Sequence, residues 1–233
     1  MFSNFFVSSA ISLDVLMIVY TMWVLSLNKS GKMPWSIGAA MFAWLFGLHF
    51  FISNQLVFPR NISGISFLMI IFAAVGLVGA MLFSIPAIRK RLLELTQEQL
   101  MLMQGIRVFF GAGFLMQAAL AHMPLKFGLI DGFTHVTAGF LGLVAAFTVS
   151  KGLYGKSRVL FANIFGLADI LIVASSIALV LLPDMGPHHT MMYAVFLPAP
   201  LWLWFHVISL WKLYSSSANA SVAISVKSIN AVI

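Results

Sequence analysis

The chain has 233 residues, of which 61% are hydrophobic and only 8% charged, where an ordinary soluble domain carries about a quarter charged residues. That surface is too apolar for a water-soluble globule, and the length suits one domain with lipid as its solvent. The chain contains no cysteine, which excludes disulfides, thiolate metal sites and cysteine nucleophiles. Its net charge of +7 sits in short loops between apolar runs, so it bears on membrane orientation and not on nucleic-acid binding.

A bilayer core of about 30 Å takes about 20 apolar residues as helix. Seven runs qualify, at 8–28, 35–58, 63–88, 101–122, 127–150, 158–182 and 190–214. The expected fold is therefore all-α, a bundle of seven transmembrane helices in a single domain over 1–214, followed by a flexible cytoplasmic tail over 215–233. The first run lacks a basic leader and an A-x-A site, and reads as a retained helix. It carries Asp14, and the second run carries His49. Pro86 closes the third, and Ile88, Leu92 and Leu95 then recur at helical spacing behind Arg89, Lys90 and Arg91. That pattern predicts a cytoplasmic helical extension over 86–103 near the headgroups.

The fourth run opens with Gln104 and Arg107 and closes at His122-Met123-Pro124. The fifth carries Asp131 and His135 one turn apart, and Gly128 and Gly132 permit close approach of a neighbour. The sixth carries Asn163 and Asp169, and the link after it holds His188 and His189. In the seventh, Pro198 and Pro200 break the backbone ladder ahead of His206. Trp202, Trp204 and Trp211 on that run read as packing and interface anchors.

Loop charge sets the orientation. Lys29, Lys32, Arg89, Lys90, Arg91, Lys151, Lys156, Arg158, Lys212 and Lys227 fall on one side, against Arg60 and Lys126 on the other. The basic side is expected to be cytoplasmic, which puts the N-terminus outside and the C-terminus inside.

Charged groups at bilayer depth cost a few kcal/mol each, so each needs a partner or a function. Depth counted at about 1.5 Å per residue sorts them into two layers. The inner layer holds Gln104, Arg107, Asn163, Asp169 and His206, with a buried Arg107–Asp169 pair expected. It is a register-fixing polar network or a site for an anionic headgroup, a quinone or a proton. The outer layer holds Asp14, His49, Asp131 and His135. There, His49 and His135 at matched depth suit a haem or metal clamp, or Asp131 caps its helix and pairs with His135. At the outer rim His122, His188 and His189, with nearby methionines, offer copper ligands.

Gln104-x-x-Arg107 with Gly111 and Phe114, then Pro124, Phe127 and Asp131, then Asn163 with Asp169, and the Pro-rich run ending in His206 form one pattern. It resembles that of a group of small uncharacterised bacterial integral membrane proteins. The likeness spans 101–213. It implies a bacterial inner membrane and a polar network on these helices, and it brings no activity with it.

A retinal protein is rejected, because the middle of the seventh run holds no lysine. A nucleotide site is rejected because no phosphate-binding loop is present. Three readings stand: small-solute or proton-linked transport or binding; a non-catalytic subunit or assembly factor of a membrane complex; and a haem- or copper-binding redox protein. An enzyme is the less favoured class. The expected partners are the lipid bilayer and another membrane protein or a second copy, with no nucleic acid.

Overall fold

The computed structural model describes residues 2–27, 34–56, 58–59, 61–153 and 156–230, with side chains described within 4–215. Lys29, Lys32 and Arg60, which enter the orientation argument, lie outside the described residues, as does the side chain of Lys227. The described chain is helical, without strands. Its long elements are α1 (Phe2–Ser26), α2 (Trp35–Ser53), α3 (Gly64–Ser84), α6 (Arg107–Ala119), α7 (Leu125–Ser150), α8 (Lys156–Ser176) and α11 (Pro198–Asn230). The short ones are α4 (Pro86–Glu94), α5 (Gln97–Leu102), α9 (Leu182–Met185) and α10 (Met192–Phe196).

Six segments are long and apolar enough to cross a membrane: Asn4–Ser26, Trp35–Ser53, Gly64–Ser84, Gln97–Ala119, Leu125–Ser150 and Lys156–Met185. The seventh run does not reach that standard as one helix. It divides at Leu197, whose φ of −115° and ψ of −70° leave the helical path between α10 and α11. Pro198 and Pro200 cause this, since neither offers an N–H to the preceding turn. Pro200 would leave the Phe196 carbonyl without its helical donor, and the Trp44 indole of α2 fills the place, donating to it at 3.1 Å. Helix α11 then runs on to Asn230 with no break at the 214 boundary.

The segment after α3 also divides differently from the pattern. Two helices replace the single extension over 86–103, because Thr96 starts a new one. Its hydroxyl accepts from Gln99 N–H, and the Gln99 side chain accepts from Thr96 N–H. Leu92 and Leu95 turn inward, 5% and 1% exposed. Lys212 of α11 donates to the Leu93 carbonyl at 2.6 Å, placing a cation at the C-terminal end of α4.

Helix α5 joins α6 through a tightened turn, where Arg107 N–H bonds Gln104 O and Val108 N–H bonds Gly105 O, three residues back. Arg107 therefore begins α6. Past α8, the chain widens into a π turn over Ile177–Leu181 ahead of Pro183. That widening relieves the clash a proline makes with the preceding helical turn.

The closest packing joins α6 and α7. Gly128, Gly132, Gly139 and Gly142 are buried on one face of α7 with His135 among them. A Cβ on Gly111 would stand 2.5 Å from Gly132 O, and one on Gly139 would stand 2.7 Å from Val108 N. Backbones this close bring the polar groups of two helices into direct reach.

Candidate functional site: a buried histidine between two carboxylates

Arg107 is fully buried and starts a helix, the end at which the helix dipole disfavours a cation. It is held there by acceptors. Nη2 donates to Asp169 Oδ2 of α8 in an ion pair, and Nη1 donates to the Gly166 carbonyl at 3.3 Å. Nη1 also lies 3.2 Å from His206 Nε2. Below the guanidinium sits the Trp202 ring, 5.3 Å from Cζ to the centroid, a cation–π contact in a dry setting.

These contacts fix the state of His206. Asn163 Nδ2 donates to Val159 O and to Ser209 Oγ, both at 2.8 Å, so its Oδ1 faces His206 Nδ1 at 2.9 Å as an acceptor. Nδ1 must carry the proton. A guanidinium is always a donor, so Nε2 must be bare. His206 is thus neutral and acts as a bridge between Asn163 and Arg107. Gln97 Nε2 extends the chain, donating to Ser209 Oγ at 2.6 Å.

On the other side of Asp169 stands His135 of α7. Its Nδ1 is 3.1 Å from Asp169 Oδ2 and 2.9 Å from Asp131 Oδ1. These are ion-pair distances without the alignment of hydrogen bonds, and the Asp131 carboxylate has no hydrogen-bond partner among the described residues. Phe114 and Trp202 close over the imidazole edge to face, with centroids at 5.3 and 5.9 Å. The two expected layers therefore meet. Asp131 and His135, assigned to the outer one, join Arg107 and Asp169 of the inner one in a single cluster.

The remaining residues take other places. Gln104 is buried, and neither side-chain atom has a hydrogen-bond partner among the described residues. Asp14 is fully buried on α1, also without one. His49 Nδ1 lies 2.7 Å from the Tyr193 hydroxyl and 3.2 Å from Ser53 Oγ. His49 and His135 thus serve different networks.

At the rim, His189 Nδ1 accepts from Met191 N–H at 3.2 Å, and Nε2 faces the His122 carbonyl at 2.9 Å as the donor. Both nitrogens are engaged by backbone. His122 stacks between Phe6 and His189, with centroids at 3.8 and 4.5 Å. Its Nε2 meets Thr190 Oγ1 at 3.1 Å, and that hydroxyl donates on to Gln117 Oε1 at 3.3 Å. Burial lowers the His122 imidazole from its ordinary range and is the main cause that brings His189 down to about 4. His188 packs near Phe58, with ring centroids 6.1 Å apart. These links make the His122–His189 pair a fastening of α1, α6 and the α9–α10 link.

Residue types alone did not point to Trp202, Gly166, Ser209 or Gln97 as members of the site. Gly166 carried a signal in its place between Asn163 and Asp169, three residues from each and on their face of α8. Trp202 read as an anchor because nothing in the sequence states which way it turns.

The chain matches over residues 63–214 a family described as a domain of unknown function, DUF8737. It belongs to that family. The DUF8737 region takes in α3 to the described side chains of α11 and so contains Arg107, Asp131, His135, Asn163, Asp169 and His206, whereas Asp14 and His49 precede it. No curated protein and no solved structure matches the chain.

The ligating atoms of Asp131, His135 and Asp169 lie within 4.8 Å of one another, a spacing compatible with a cation. Arg107 on Asp169 already supplies a positive charge there, which opposes a metal ion and leaves room for a proton. The void beside His135 and Trp202 measures about 40 Å³. Apart from those two residues its lining is apolar, so it offers a water few partners, and it is too small for an organic solute.

Proposed function

We propose that the chain is an integral protein of a bacterial inner membrane, with seven spans, N-terminus outside and C-terminus cytoplasmic, and that it links binding of one proton to transport of a small solute. Six helices of spanning length and the basic loops support the topology, with α10 and α11 together as the seventh crossing.

The observation that carries the proton reading is His135 between two carboxylates, one of them already neutralised by Arg107. Arg107 and Asp169 cancel. Asp131 and His135 then share one proton, which sits on the imidazole as an ion pair or on the carboxyl as a neutral pair. Either arrangement leaves the cluster uncharged. Removing that proton strands a negative charge at depth, and adding one strands a positive charge, each at a cost of several kcal/mol. The cluster is therefore a one-proton device. The helix break at Leu197 lies five residues before Trp202, which closes over both Arg107 and His135.

The test uses proteoliposomes loaded with a pH-sensitive dye and challenged with small carboxylates, amines and amino acids, one class at a time. At least one class is expected to move protons with the wild-type protein and none with Asp169→Asn, compared at a temperature below the thermal midpoint of the variant, which loses the buried ion pair. Wild-type vesicles that move no protons with any class sink the proposal, as does an Asp169→Asn protein that behaves like the wild type.

A further inference from the structure

A cavity lies away from the polar cluster, among the described residues of α1, α2, α3, α4 and the divided last helix. It has a volume of about 370 Å³, is open on one side and is almost wholly apolar. It lies between α2 and α3, consecutive in the chain, because α2 packs mainly against α1 and α10 whereas α3 packs mainly against α11 and the π turn after α8. Its wall includes Thr21 and Leu25 of α1, Ala40 and Trp44 of α2, Leu82 of α3 and Phe205 of α11. Arg91 of α4 lies at its rim. Arg89 and Lys90 are exposed on the same short helix, and Glu94, its one acid, stands about one turn from Lys90 and Arg91.

The groove joins the C-terminal end of α1, the N-terminal end of α2 and the C-terminal end of α3. Under the orientation proposed above, all three are cytoplasmic. An apolar slot of this size, lined by Arg91 and opening toward the inner leaflet on the helix that also exposes Arg89 and Lys90, has the chemistry of a lipid whose chain lies along the slot and whose phosphate meets Arg91. We infer that it is a binding site for an anionic phospholipid of the inner leaflet. Each basic residue near the surface favours an anionic over a zwitterionic headgroup, and the apolar walls take the chain. Leu201 and Phe205 line the groove from the same helix that carries Trp202 and His206 on the adjoining face. The lipid therefore braces α11 where it faces the cluster.

The experiment places the full chain in phosphatidylcholine vesicles with a small fraction of brominated-chain phosphatidylglycerol or phosphatidylethanolamine. Bromine quenches a tryptophan it touches, and the Trp44 share of the fluorescence is isolated as the difference from Trp44→Phe. Phosphatidylglycerol is expected to quench Trp44 at about tenfold lower mole fraction than phosphatidylethanolamine. Ala40→Leu, a substitution at an exposed position that fills the slot, abolishes the quenching. Arg91→Gln, which leaves the slot empty, brings the two lipids closer together. Asp169→Asn leaves the quenching unchanged, so the lipid site and the proton reading stand or fall separately. Equal quenching by both lipids in the wild type overturns the inference. So does a selective quenching that survives in both Ala40→Leu and Arg91→Gln.

Discussion

His135 Nδ1 lies 3.1 Å from Asp169 Oδ2, the same oxygen that Arg107 holds. One carboxylate oxygen on α8 thus ties α6 to α7. Removing the guanidinium leaves two carboxylates buried with a single imidazole. Arg107→Met is expected to destabilise the protein by about 3–5 kcal/mol, the usual cost of breaking a buried ion pair from one side. The thermal midpoint in mild detergent reads this out. A midpoint within a degree or two of the wild type contradicts the account of Arg107 as the anchor.

Space at Gly166 gives a second prediction. A Cβ there would stand 2.3 Å from His206 Nε2 and 3.0 Å from Arg107 Nη1. Gly166→Ala must displace the imidazole from the guanidinium, and overpacking of this kind costs about 1–3 kcal/mol. Gly47 is the control, since a Cβ there meets nothing within 4 Å. Gly47→Ala in mid-helix is expected to be neutral or to stabilise by about 0.5–1 kcal/mol. Equal effects of the two substitutions on the thermal midpoint argue against a close-packed site.

The rim histidines predict a pH dependence. His189 is held at about 4, and His122 is also lowered, chiefly by burial. Their neutral forms fit the fold, so the unfolded chain binds more protons. The stability they contribute is present above the ordinary imidazole value of about 6.5 and is lost as pH falls through that value toward about 4. Thermal midpoints measured across this window should fall with acid, and should fall less in His189→Gln. Identical slopes for the two proteins refute the assignment.

Topology is open to a direct check because the chain has no cysteine. Single cysteines at Asn61 and Asp184 are expected to react with an impermeant maleimide from outside intact cells. One at Ser157 reacts only after the cells are opened. The reverse pattern inverts the proposed orientation.

The helices were legible because a bilayer demands long apolar runs, and the polar residues stood out for the same reason. Depth counting put Arg107 and Asp169 in one layer, and the two do pair, but it separated Asp131 and His135 from them. Height along a helix says nothing of tilt or of how closely two helices cross. The glycine face of α7 brings His135 onto α6, and the tightened turn at 103–106 sets where Arg107 begins its helix. Both are tertiary outcomes. The division at Leu197 was legible as two prolines, whereas the indole that satisfies Phe196 comes from a helix about 150 residues earlier. The rim histidines offered ligand atoms by type, and only the fold reveals that both His189 nitrogens are engaged by backbone.

The central claim is that Asp131 and His135 share one exchangeable proton. Infrared difference spectra of the reconstituted protein between acid and alkaline buffer test it most directly, through the carbonyl stretch of a protonated carboxyl. The account predicts a titrating band that disappears in Asp131→Asn and survives in Asp14→Asn and Asp184→Asn. A spectrum that Asp131→Asn leaves unchanged would contradict it.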